Sequence, residues 1–89
     1  MEIEYDPLKS ETNRQARGFG FDLVTGFDFE SALIWIDNRF PYPETRYSAL
    51  GQVAGRLHAL VFTETPGGIR IIIFRKANRR EIRHYAQRR

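Results

Sequence analysis

The sequence predicts an α+β fold: an antiparallel sheet of four or more strands, N-terminal helices packed on one face, and a basic C-terminal helix. Helix signals come first and strand signals follow in a run, which argues against an alternating parallel sheet. Four strand-like segments, Ala32–Ile36, Arg46–Val53, Leu57–Thr63 and Ile69–Phe74, are joined in part by turn signals as short as Ala54-Gly55 and Thr65-Pro66-Gly67-Gly68. Consecutive strands with such turns form an antiparallel meander. Finally, 89 residues, 42% hydrophobic and 28% charged, suit one small globular domain spanning 1–89 rather than a disordered chain.

At the N-terminus, Ile3 and Tyr5 alternate with Glu2 and Glu4, the pattern of a short edge strand. Asp6-Pro7 then starts a helix, with Asp6 capping free N–H groups and Pro7 in the first turn; Gly18 stops it after Arg17. The helix is polar, with only Leu8 and Ala16 clearly apolar. Phe21 to Phe27-Asp28 reads as a second, short helix weakened by Gly26. Ala32–Ile36 reads as a strand buried on both faces, broken by Asp37-Asn38. Pro41 and Pro43 keep the next stretch extended or turning. In Arg46–Val53, Tyr47, Ala49 and Val53 share one face and Leu50 takes the other.

Ile69–Phe74 is the segment around which the chain is organised. Its alternation puts Ile69, Ile71 and Ile73 on one face and Ile72 and Phe74 on the other, so it reads as a central strand covered on both sides. Arg70 interrupts the apolar run and requires an internal carboxylate, Glu44 or Glu81, or a solvated cleft. Parity sends Arg70 and Arg75 to opposite faces. From Lys76 a helical period begins, with Lys76, Arg79, Arg80 and Arg83 in one arc and Ala77, Ile82 and Tyr85 opposite.

Composition narrows the function. There is no cysteine, hence no disulfide framework or thiolate chemistry, and a reducing compartment is the simplest inference. The longest apolar run is far too short to span a membrane, and the N-terminus has no signal-peptide pattern. Residues 69–89 carry eight basic residues against Glu81, a net of +7, whereas residues 1–68 carry six against ten acids, a net of −4. A basic end on a mildly acidic body points to an anionic partner such as nucleic acid; a solvated helix face is the plainer account. His58 and His84 have no neighbours at metal-ligand spacing, so no metal site or cofactor is expected and both histidines read as structural or surface residues. Aromatic residues among basic ones suit stacking on unpaired RNA bases, although most of the seven phenylalanines and the tryptophan are assigned to the core.

Several segments carry a resemblance. Asp6-Pro7-Leu8-Lys9 with Asn13, then Phe21, Phe27-Asp28 and Asp37-Asn38-Arg39, stand in the order found in the BrnT family of bacterial toxins. Tyr42-Pro43-Glu44-Thr45-Arg46 followed by Gly51 is similar to that family's tyrosine–glycine–glutamate–x–arginine segment. The most specific match is Arg70-Ile71-Ile72, Arg75-Lys76-Ala77, Arg79-Arg80-Glu81 and Tyr85. The resemblance runs from about residue 3 to 85. It implies a RelE-like ribonuclease fold and a cytoplasmic type II toxin that cleaves RNA and blocks translation. It also implies a cognate ribbon-helix-helix antitoxin, with operator DNA reached only through that antitoxin. The chain departs from the family at Arg17, where a histidine is usual, at Pro43, usually glycine, and at Ile73-Phe74, usually serine-alanine.

On this resemblance the expected chemistry is metal-independent, in-line attack of a 2′-hydroxyl on its own phosphate. Arg46, Arg70 and Arg75 would clamp the phosphate, and Glu81 or Glu44 would take the proton. Lys9, Arg17, Lys76, Arg79 and Arg83 would hold the RNA backbone. Arg17 stays charged near neutrality and so stabilises charge without shuttling protons. Two alternatives stand beside this reading. One is a non-catalytic RNA- or partner-binding module; the other is a structural subunit whose basic helix docks an acidic protein.

Overall fold

The computed structural model describes residues 1–88. In chain order it contains β1 (Glu2–Glu4), α1 (Pro7–Arg17), a 3₁₀ helix (Phe21–Gly26), β2 (Leu33–Asp37), β3 (Arg46–Val53), β4 (Arg56–Thr65), β5 (Gly68–Lys76) and α2 (Arg79–Arg88). One five-stranded sheet has the order β1-β5-β4-β3-β2. The meander β2 to β5 is antiparallel, as expected, but β1 pairs with β5 in parallel, so the sheet is mixed. That geometry follows from the crossover: β1 is joined to the sheet only after two helices and three strands.

The local signals act as they read. Asp6 Oδ1 accepts from the Leu8 N–H at 2.9 Å, Pro7 opens α1, and Gly18 ends it in the left-handed region at φ 89°. Val53 and Arg56 pair across Ala54-Gly55, and both turn residues have positive φ (49° and 79°), the geometry of a two-residue type I′ hairpin. Ser10, not Leu8, is the buried residue of α1: its Oγ accepts from the Phe21 N–H at 2.9 Å and ties the two helices together. Leu8 is exposed.

Two cores flank the sheet. On one face Phe19, Phe21, Val24 and Phe27 pack over Ala49, Leu60, Phe62, Ile69, Ile71 and Phe74. Truncating one such phenylalanine costs about 3–5 kcal/mol. On the opposite face Tyr85 and Ala77 pack over Leu50, Leu57 and Ala59, and the Tyr85 hydroxyl donates to the Ser31 carbonyl at 3.1 Å. The basic helix α2 thus covers only one end of its face.

Three sequence expectations are corrected. The strand buried on both faces is β4, at the centre of the sheet; β2 is an edge strand, with Ile34, Trp35 and Ile36 about half exposed. An apolar run does not distinguish burial by a sheet from exposure at its edge. Second, β5 is second from the other edge, and a bulge interrupts it: Val61 pairs with Ile73 but Phe62 with Ile71, leaving Ile72 extra. The bulge reverses the alternation, so Ile69, Ile71 and Phe74 are buried while Arg70, Ile73 and Arg75 share the other face. Third, α2 begins at Arg79; Lys76 is the last residue of β5 and points away from Arg75, outside any helical arc.

Candidate active site

The face that α2 leaves open is built from rows of register partners. Nearest α2, Leu33, Leu50, Ala59 and Arg75 align across four strands. The next row is Trp35, Ser48, Val61 and Ile73. Farthest out lies a charged row: Asp37, Arg46, Thr63, Arg70 and Glu4. The middle row, which includes the half-exposed Trp35 and Ile73, floors a cleft of about 350 Å³ bounded by Asp37, Asn38, Arg39, Arg75 and Glu81.

Two tethered arginines stand at this cleft. Glu81 binds Arg75 through both oxygens, at 2.8 and 2.9 Å. Glu81 also closes the first turn of α2: its Oε1 accepts from the Asn78 N–H and its own N–H donates to Asn78 Oδ1, both at 2.9 Å. These bonds, that with Arg75 foremost, hold the Glu81 carboxyl below its usual range. The carboxylate raises the Arg75 pKa in turn. On the other side Asp37, buried at the end of β2, accepts from Arg39 Nε at 2.9 Å and Nη2 at 3.0 Å. Hydrogen bonding to Arg39 lowers the Asp37 pKa, while the Arg39 guanidinium itself remains largely in solvent. Arg39 lies close enough to Arg75 for its charge to oppose the raising effect of Glu81. Each guanidinium is oriented by a carboxylate and still borders the cleft, an arrangement suited to phosphate oxygens.

A neighbouring depression shares Ile36, Asp37 and Asn38 with the cleft and contains Glu44 and Arg46. Arg46 Nε donates to Glu44 at 3.1 Å, and its guanidinium lies 4.0 Å from the centre of the Tyr42 ring. Of the two carboxylates named from sequence, Glu44 is the more accessible and Glu81 the more constrained.

The remaining candidates are dispersed. Arg70 is half exposed and its carboxylate partner is Glu4 of β1, at 3.9 Å, not Glu44 or Glu81. Because this face is open, its charge needs no burial. Arg70 and Arg75 share a face, with their backbones roughly 13 Å apart along the bulged strand, and each has its own carboxylate partner, Glu4 and Glu81. Lys9 and Arg17 line a second groove, between α1 and β5, that shares Ile73 with the cleft, and Arg17 donates to Asn13 at 3.0 Å. Arg79 and Arg83 are exposed on α2. His58 is buried, stacked on Phe74 at 5.1 Å with Nδ1 against the Arg56 carbonyl; burial pushes its pKa down. Among the described residues no cluster of metal-ligating side chains occurs, and no helix is long and apolar enough to cross a membrane.

Sequence reasoning passed over Arg39, Trp35 and Ser48. The Asp37-x-Arg39 spacing behind a strand was the available signal for the first. Trp35 gave none, because only the strand order shows that it lies at an edge.

A family model described as the ribonuclease toxin, BrnT, of type II toxin–antitoxin systems matches residues 5–81. No curated protein and no solved structure matches the chain.

Proposed function

Given that the chain belongs to the BrnT family of type II toxin–antitoxin ribonucleases, we propose that the open sheet face cleaves single-stranded RNA without a metal ion. The observation that carries this is the pair of carboxylate-tethered arginines, Arg39 and Arg75, bordering one cleft. The 2′-hydroxyl attacks the adjacent phosphorus, Glu44 takes its proton, and the 5′-oxygen leaves with a proton from solvent in the cleft. Products are a 2′,3′-cyclic phosphate and a 5′-hydroxyl. Arg75 and Arg39 stabilise the equatorial oxygens, Arg46 holds Glu44 and a neighbouring phosphate, and Glu81 positions Arg75. Arg70 binds the strand farther along the face. Lys9, Arg17, Lys76, Arg79 and Arg83 contribute longer-range attraction to the RNA.

In the cell this activity would act in the cytoplasm and inhibit translation. A ribbon-helix-helix antitoxin would neutralise it and carry the complex to operator DNA. One observation favours the non-catalytic alternative: both Glu81 oxygens are already engaged, which leaves proton transfer to Glu44. One experiment separates the two. Purified protein is incubated with single-stranded RNA in excess chelator, and product ends are identified. Cleavage with cyclic phosphate ends is expected, reduced on the order of 100-fold by Arg75→Ala. Intact RNA, or an Arg75→Ala protein as active as the parent, refutes the proposal.

A further inference from the structure

The cleft does not end at Trp35. That side chain also borders a second cavity of about 440 Å³, between β2 and α2, lined by Leu33, Ile34, His84 and Arg88. Trp35 is therefore the wall shared by two adjoining spaces. It is 44% exposed, although its place in a β-prone run suggests core. Its indole meets the His84 ring edge-on, with centroids 6.1 Å apart. Among the described residues, the lining of the second cavity contains two apolar side chains, two aromatic rings and one guanidinium, and no side-chain carboxylate. Cations thus stand on both sides of the indole, Arg39 and Arg75 in the cleft and Arg88 beyond it.

This alternation of cation, aromatic ring and cation is what a single nucleic-acid strand requires. Phosphates meet the guanidinium groups, and an unpaired base finds a π-face between them. An acidic peptide would use the same cations. It would gain less from the indole, and nothing would require it to continue into the cleft.

We infer that the RNA strand runs from the Arg39–Arg75 cleft across Trp35 into the β2–α2 cavity, with one unpaired base stacked on Trp35 and the next phosphate on Arg88. This subsite rests on the ribonuclease reading above and adds the path of the strand and a second binding region to it.

Trp35 is the chain's single tryptophan, so its emission reports the subsite directly. The probes are fully 2′-O-methylated oligonucleotides, which bind but lack the attacking hydroxyl. One has about three nucleotides, to fill the cleft, and one about eight, to reach past Trp35. The longer probe should quench Trp35 saturably and bind about tenfold or more tightly than the shorter, since one stacked base accounts for a difference of that order. In the doubly substituted His84→Ala, Arg88→Ala protein, which keeps Trp35 but loses the Arg88 phosphate contact and the ring against the indole, the ratio of the two affinities should fall but stay above one. Both positions are exposed on α2, and a thermal melt confirms that the variant is folded. Trp35→Phe, read by anisotropy of a labelled probe, should retain part of the length advantage that Trp35→Leu loses. Equal affinities for the two probes, an unchanged ratio in the double variant, or RNA binding that leaves Trp35 emission unaltered would overturn the inference. So would protection of Trp35 by an acidic peptide but not by RNA. Cleavage of natural RNA by the same preparation keeps the two readings apart. Cleavage without a length advantage refutes the subsite alone, a length advantage without cleavage refutes the catalytic reading alone, and failure to bind either probe refutes both.

Discussion

Replacing Glu81 by glutamine keeps the side chain's shape and removes its charge. In the native protein this carboxylate accepts two hydrogen bonds from Arg75 and one from the Asn78 N–H. Both side chains of the ion pair are less than one-third exposed, so solvent screens the pair only in part. Hydrogen bonds to charged groups contribute about 1.5–3 kcal/mol, and an amide oxygen retains some of the capping contact. The expected loss in Glu81→Gln is about 2 kcal/mol, or a fall of roughly 10 °C in melting temperature for a domain of this size. The loss should depend on pH in a definite direction. The folded-state pKa of Glu81 lies below that of the free side chain. Its stabilisation is therefore complete above the unfolded pKa of about 4.5 and disappears as pH falls through the depressed folded value. Denaturant titrations of parent and variant should differ by the full amount near neutrality and converge in acid. Because glutamine no longer fixes Arg75, RNA cleavage should fall as well. Equal stability at neutral pH, or a difference that persists undiminished in strong acid, would refute the assignment of Glu81 as the anchor of Arg75.

Three further outcomes follow from the packing. Ala54 occupies the left-handed region of the β3–β4 turn at φ 49°, so Ala54→Asn should stabilise the protein by about 0.5–1 kcal/mol in a denaturant melt. The Phe27 ring occupies the space a Cβ at Gly51 would need, with its Cε1 at 2.7 Å, so Gly51→Ala should destabilise by about 1–3 kcal/mol. Combining it with Phe27→Leu should recover part of that loss in a double-mutant cycle. Burial lowers the His58 pKa, so the unfolded chain takes up a proton that the folded protein refuses. Stability should therefore decline as pH falls below about 6.5, by at most about 1.4 kcal/mol per pH unit, and His58→Gln should lack that component.

Much of the architecture is legible without coordinates because it rests on interactions between near neighbours. The Asp6-Pro7 start and Gly18 stop of α1 are dictated by capping and backbone conformation within a few residues. The Ala54-Gly55 and Pro66-Gly67 turns delimit strands whose β-branched and aromatic residues are visible in the chain. The basic character of the C-terminal segment and the order of the family's landmarks are likewise properties of the sequence. What the tertiary structure decided depends on partners distant in the chain. The exposure of Trp35 follows from β2 lying at the sheet edge, and the pairing of Arg70 with Glu4 from β1 joining β5 in parallel. The common face of Arg70 and Arg75 follows from one extra residue, Ile72, which reverses an alternation that regular strand geometry would have continued. Side-chain parity is a local rule, but a bulge is set by the register of the neighbouring strand, and so the cleft emerges only when the sheet is assembled.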